Sequence, residues 1–280
     1  MSLHGYFSIT RPVNAFVAGI AAVIAYLIAT GTVTPSSLLL LIVVALITAA
    51  GNTINDYFDA EIDAVNRSDR PIPSGQVPRS AALWYSLILF LVGIGVCTLT
   101  NPLCMGIAII NSLLLIAYAA RLKTTPLFGN VAVAYLAGSM FLFGGALNGA
   151  AGLFHMIPIA LMTFLAMMVR ELLKDAEDVD GDAACGASTL PIRIGVKKTA
   201  RIAFGFMVLA AITSLLPSAW WGGWYIAGIL IVDALLLGAA ALALRCETPA
   251  CVRASKAATF LKYGMFASLV VFTLSAVLLG

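Results

Sequence analysis

Two short stretches, "NDYFDAEID" at residues 55–63 and "KDAEDVDGD" at residues 174–182, each hold an aspartate triplet suited to binding a cation and a polyanion. Asp56, Asp59 and Asp63 are spaced three then four apart, and Asp175, Asp178 and Asp182 repeat the interval. On a helix that spacing gathers each triplet on one face. Carboxylates so gathered repel one another unless something cationic relieves them, which a merely hydrated loop would not do. A hard ion such as Mg²⁺ prefers oxygen donors, keeps several waters, and joins one or two carboxylates to substrate phosphate oxygens. The expectation is therefore a diphosphate bound between two Mg²⁺-bearing triplets. Arg67 and Arg70 follow the first block, and Arg193, Lys197 and Lys198 follow the second. They could hold the remaining phosphate charge, or simply anchor the chain in a membrane. A calcium-loop reading of "DAEDVDGD" fails, because Ala187 falls where that loop needs a bidentate glutamate.

The elements that must position these acids are apolar. Hydrophobic residues fill 61% of 280 positions and charged ones only 10%, against roughly a quarter charged in a soluble domain. Nine apolar runs recur, at 13–30, 38–57, 81–100, 102–118, 126–145, 153–173, 199–216, 223–244 and 257–279. Each is long enough to cross a hydrocarbon core of about 30 Å as a helix. The fold class expected is an all-α integral membrane protein with nine transmembrane helices, one polytopic domain over residues 1–280. The first run is taken as a span rather than a signal peptide, since the rest of the chain is equally apolar. Five scattered cysteines read as free, mostly buried thiols, and His4 and His155 lie near no candidate nucleophile.

Charge placement predicts the topology. If the nine runs alternate in direction, all sixteen Lys and Arg fall at one face, together with twelve of the thirteen Asp and Glu. The positive-inside tendency makes that face cytoplasmic, with the N-terminus inside and the C-terminus outside. Trp220, Trp221, Trp224 and Tyr225 cluster at an opposite, uncharged connection, where interfacial aromatics are expected. Only Asp233 falls in mid-span, with a bond to a neighbouring helix as one reading.

With these residues in view, the chain resembles the UbiA superfamily of intramembrane prenyltransferases along essentially its whole length. The segment "NDYFDAEIDAVNRSDRPIPSG" matches that family's N-D-x-x-D-x-x-x-D signature and the basic P-x-P-S-G segment after it. The resemblance implies a first metal and diphosphate site at Asn55, Asp59 and Asp63, with Asp56 adjacent and Arg67 and Arg70 facing phosphate. It implies a second at Asp175, Asp178 and Asp182. The Tyr and Lys that the family pairs after its fourth helix correspond to Tyr118 and Lys123 in "YAARLKTTPLFGN", one residue further apart than in the tightest form. "RPVN" is similar to the family's first-helix segment, which makes Asn14 a lining residue or, equally, a buried asparagine bonded between helices.

Within the superfamily, the runs "RLKTTPLFGNVAVAYLAG" and "GASTLPIRIG" look most like the archaeal branch that prenylates a glycerol lipid. That implies Mg²⁺-dependent transfer of a geranylgeranyl group from its diphosphate to the hydroxyl of geranylgeranylglyceryl phosphate, within the cell membrane. Asp59, Asp63, Asp178 and Asp182 would carry the catalytic role, and Lys174, Arg193, Lys123 and Arg121 could receive the acceptor's phosphate. The partners expected are a prenyl diphosphate, a lipid-like acceptor and the bilayer, with no nucleic acid and no obligate protein partner. An aromatic polyprenyltransferase is the alternative. A divalent-cation transporter is disfavoured, since transport acids lie near the bilayer midplane. A CDP-alcohol phosphotransferase needs Ala-Arg after its Asp-Gly, which Asp180-Gly181 lacks.

Overall fold

The computed structural model describes residues 2–184 and 186–279, and among these every regular element is helical. In chain order the helices are α1 (Leu3–Ile9), α2 (Pro12–Thr30), α3 (Ser37–Asn66), α4 (Arg79–Cys97), α5 (Pro102–Ala120), α6 (Phe128–Ala146), α7 (Gly149–His155), α8 (Ile157–Glu177), α9 (Val179–Ala184), α10 (Leu190–Ile194), α11 (Val196–Thr213), α12 (Ser218–Leu242), α13 (Pro249–Ser255) and α14 (Ala257–Leu279). Their starts follow from local chemistry. Proline opens α2, α5 and α13, where the missing N–H costs nothing. Asn101 caps α5 by accepting the Cys104 N–H at 3.0 Å, and Thr248 caps α13 by accepting that of Cys251 at 3.3 Å.

All nine apolar runs fold as helix, but nine spans is a miscount. Seven helices are long and apolar enough to cross a membrane, or eight when the pair Gly149–His155 and Ile157–Glu177 counts as one span. The run at 199–216 is the one that drops out. It lies in α11, whose 18 residues include Lys197, Lys198 and Arg201. An apolar remainder that short falls below the roughly 20 residues a span requires. The chain is a multi-pass membrane protein all the same.

Contacts divide the chain into two compact units. The first comprises Met1–Tyr26, Val33–Arg121 and Phe143–Leu153, and the second Leu27–Thr32, Leu122–Leu142 and Phe154–Gly280. In the first unit α3 packs along α4 and α5. Its 30 residues make it about 45 Å long, longer than a hydrocarbon core of about 30 Å, so its last turns stand clear of the lipid. In the second unit α8 packs against α11 and α14, and α12 against α14. α6 and α8 approach so closely at Gly138 that a Cβ there would lie 2.6 Å from the Ala160 carbonyl oxygen. Small residues at helix contacts are how membrane bundles gain van der Waals packing.

The structure alters two further expectations. Cys246 and Cys251 form a disulfide with Cα atoms 5.4 Å apart, whereas Cys97 and Cys104 are free and buried. The short turn into α13 brings the pair within bonding range, which a linear spacing without a metal motif does not reveal. Cys185 lies outside the described residues. In the aromatic group only Trp224 is exposed, while Trp221 and Tyr225 are buried. Tyr225 donates to the Ser214 carbonyl at 2.6 Å, and Ser214 Oγ lies 2.6 Å from Asp233 Oδ2. The mid-span Asp233 is thus bonded to the end of the neighbouring helix α11.

Candidate active site

The first acidic triplet lies on the last three turns of α3, as its spacing requires. Asp56 and Asp63 are buried, and Asp59 is half-buried beside Asn55, whose Nδ2 donates to Asp59 Oδ2 at 2.8 Å. Two arginines converge on Asp56 Oδ1, Arg11 at 2.5 Å and Arg70 at 3.1 Å. The same Arg70 nitrogen reaches Asp63 Oδ2 at 2.6 Å. A carboxylate this deeply buried needs such partners to stay charged. Arg67 caps α3 through its N–H to the Asp63 carbonyl at 2.8 Å, and its side chain is exposed.

The segment "RSDRPIPSG" turns Arg70 back onto α3. The Ser74 N–H bonds the Arg70 carbonyl at 3.0 Å, Ser74 Oγ bonds it at 2.7 Å, and the Val77 N–H bonds the Pro71 carbonyl at 2.9 Å. Gly75 closes the turn at φ 74°, a conformation that costs a glycine little. On the other side, Asn52 Nδ2 donates to the Thr10 carbonyl at 3.0 Å, which fixes the residue before Arg11. Arg11 itself holds φ at 49°.

The second triplet departs from its spacing. α8 ends at Glu177, Asp178 is its C-cap at φ −108° and ψ 13°, and Asp182 lies on the separate one-turn helix α9. Five acids crowd residues 175–182, and negative charge at a helix C-terminus opposes the macrodipole, so the helix stops there. Asp175, half-buried near the end of α8, accepts from Asn130 Nδ2 on α6 at 2.8 Å. Asp182 is pushed above the usual carboxylate range by burial and then by the charge of Asp178. Arg253 Nη2 donates to the Glu177 carbonyl at 2.6 Å and stands 3.9 Å from Asp178.

The basic candidates of this unit lie on several elements. Lys174 lies 3.9 Å from Glu171, one turn before it. Arg193, exposed on α10, donates to Ser188 Oγ at 2.9 Å. Lys123 is half-buried in a short 3-10 turn, Leu122–Thr124, whose Thr124 carbonyl accepts the Ser188 N–H at 3.1 Å. Lys197 is committed to Glu247, whose carboxyl it holds below the usual range by hydrogen bond and charge. In the first unit Tyr118 is half-buried in the last turn of α5. Asn14 is exposed on the first turn of α2, so the interhelical reading of it fails.

Two residues that spacing alone did not single out as ligand-site members are Arg11 and Asn130. Arg11 carries the charge that stabilises Asp56, and Asn130 orients Asp175. Each had a signal: a base directly before the first apolar run, and an amide in the first turn of another.

Among the described residues, no three His, Cys, Asp or Glu side chains stand close enough to cage a metal by themselves. Mg²⁺ does not require such a cage. The half-sites offer oxygen donors only, from Asn55, Asp59 and Asp63 in one and Asp175, Asp178 and Asp182 in the other, which fits an ion that shares its shell with water and phosphate.

The profile described as the UbiA prenyltransferase family matches residues 13–273. The chain belongs to this prenyltransferase family. It is similar to a digeranylgeranylglyceryl phosphate synthase of Methanoregula boonei, 61% identical with 100% of both chains covered. Another protein of that name, from Methanoculleus marisnigri, is 58% identical over 99% of this chain and 100% of the relative. A solved structure described as giving structural and mechanistic insights into the biosynthesis of digeranylgeranylglyceryl phosphate synthase in membranes superposes with a TM-score of 0.90 at 37% identity, covering 98% of each chain. A UbiA homolog from Archaeoglobus fulgidus, solved with GPP and Mg²⁺, shares the fold at a TM-score of 0.68 and 17% identity, covering 94% of this chain and 99% of the other. The UbiA fold expected from the motifs is the fold this chain has.

Proposed function

We propose that this prenyltransferase moves a geranylgeranyl group from geranylgeranyl diphosphate to the free hydroxyl of geranylgeranylglyceryl phosphate, making the second ether bond of an archaeal membrane lipid. The observation that carries the reading is full-length identity of 61% to a synthase named for that product. In the reaction the allylic carbon–oxygen bond of the donor breaks, diphosphate departs, and the acceptor hydroxyl oxygen bonds to carbon one as its proton is released.

Mg²⁺ bound at the carboxylates would neutralise negative charge that grows on the departing diphosphate. Asn55, Asp59 and Asp63 would serve it in the first unit, and Asp175, Asp178 and Asp182 in the second. Asp56 acts differently: buried and held by two arginines, it aligns Arg11 and Arg70 instead of facing a metal. Arg67, Arg70, Lys123 and Lys174 hold phosphate charge. Arg193 serves the acceptor's phosphate, Tyr118 and Asn14 border the substrates, and the apolar spans keep water from the allylic centre. The acid-bearing helix ends and the N-terminus lie on the cytoplasmic side, where the positive-inside tendency puts the basic residues. Thiol-accessibility mapping of an engineered cysteine at Ser68, exposed in the turn after α3, tests this: labelling from the outer side alone refutes it.

The metal requirement is tested with a non-hydrolysable prenyl diphosphate analogue. Binding should depend on Mg²⁺ and vanish with EDTA. Equal affinity with and without the ion would assign recognition to the arginines and lysines alone.

A further inference from the structure

α1 has no role in the chemistry above, yet it is docked with care. Its inner face packs Ile9 against Val77 and Ala82, and the Tyr6 ring meets that of Tyr85 edge-on at 5.4 Å. The helix therefore sits on the first two turns of α4, which crosses the membrane. Its outer face presents Leu3 and Phe7, one turn apart and 91% and 63% exposed. Two large apolar side chains on so short a helix are costly if water is their only neighbour, at about 25 cal/mol per Å² of apolar surface.

The neighbouring surface says what covers them. Trp84, Ile88 and Leu91, at helical spacing on α4, are 67%, 55% and 70% exposed and form a stripe that a span turns to lipid. Trp84 heads this stripe at the end where α1 docks, and tryptophan at the end of a span marks the headgroup level. The apolar face of α1 thus continues a lipid-facing surface at the depth where amphipathic helices insert.

We propose that α1 is a membrane-interface helix, with Leu3 and Phe7 seated in the headgroup and upper acyl region of the bilayer. Its last turn leads through Thr10, held by Asn52, to Arg11 on Asp56. Contact with lipid therefore steadies the segment that presents Arg11 to the first half-site.

The test uses the full-length protein in phospholipid vesicles with dansylalanine in place of Phe7, and in a second preparation in place of Leu3. A dansylalanine at the exposed Glu247 reports the aqueous reference. At positions 7 and 3 the emission should be blue-shifted, lose most of its intensity in phospholipids brominated near the top of the acyl chain, and resist aqueous iodide. Emission at both positions that iodide quenches as fully as at position 247, with no effect of bromolipid, overturns the proposal. Agreement at one position alone also overturns it, since a helix turn places both side chains on the same face.

Discussion

Asp56 and Asp59 are three residues apart on one helix and have different tasks. Asp59 is half-buried beside Asn55, while Asp56 is buried under two guanidinium groups. Asp59→Asn should abolish turnover and leave the fold intact, because it removes a proposed metal donor that the helix does not need. Asp178→Asn should do the same. Circular dichroism and single-turnover product formation would check both, and near-normal rates at low Mg²⁺ would refute the metal assignment. Asp56→Ala should instead destabilise the protein by about 3 kcal/mol, since it removes the buried carboxylate that Arg11 and Arg70 share and leaves Arg70 with Asp63 alone. A thermal-unfolding shift much larger than that of Asp59→Asn would be the sign. Asn130→Ala should raise the Mg²⁺ concentration for half-maximal rate with little change in saturated kcat, because Asp175 loses the amide that orients it.

At the scale of elements, apolar run length located every long helix, and the three-then-four spacing of the first triplet survived because α3 continues unbroken past Asp63. The second triplet carried the same signal and misled, since the spacing says nothing about a helix stopping at Glu177 among five acids. The disulfide and the Arg11–Asp56 pair, 45 residues apart, depend on how separate segments pack, which no local pattern encodes. Gly138 is a case where packing can be tested. Gly138→Val would drive a side chain into the Ala160 carbonyl, a backbone atom that cannot swing aside. Overpacking of this kind costs about 1–3 kcal/mol, so a clear drop in melting temperature is expected. An unchanged melting temperature would mean that α6 and α8 are not held as tightly as the backbone distance implies.

For the molecule as a whole, the membrane class and the donor chemistry were legible in the chain, because both are written in composition and short motifs. The acceptor is harder to read. A phosphate-bearing glycerol ether needs a second anion site besides the diphosphate, and Lys123, Lys174 and Arg193 are the bases of the second unit proposed for it. Replacing Arg193 by Gln should raise KM for that acceptor more than for the prenyl donor, as loss of ground-state binding does. The most direct measurement is to incubate the purified protein with Mg²⁺, geranylgeranyl diphosphate and a panel of acceptors, and to weigh the products. Geranylgeranylglyceryl phosphate should gain one geranylgeranyl group, its dephosphorylated form should react poorly, and 4-hydroxybenzoate should scarcely react. Preferred prenylation of 4-hydroxybenzoate, or no transfer to the phosphate ether, would contradict the lipid-ether assignment.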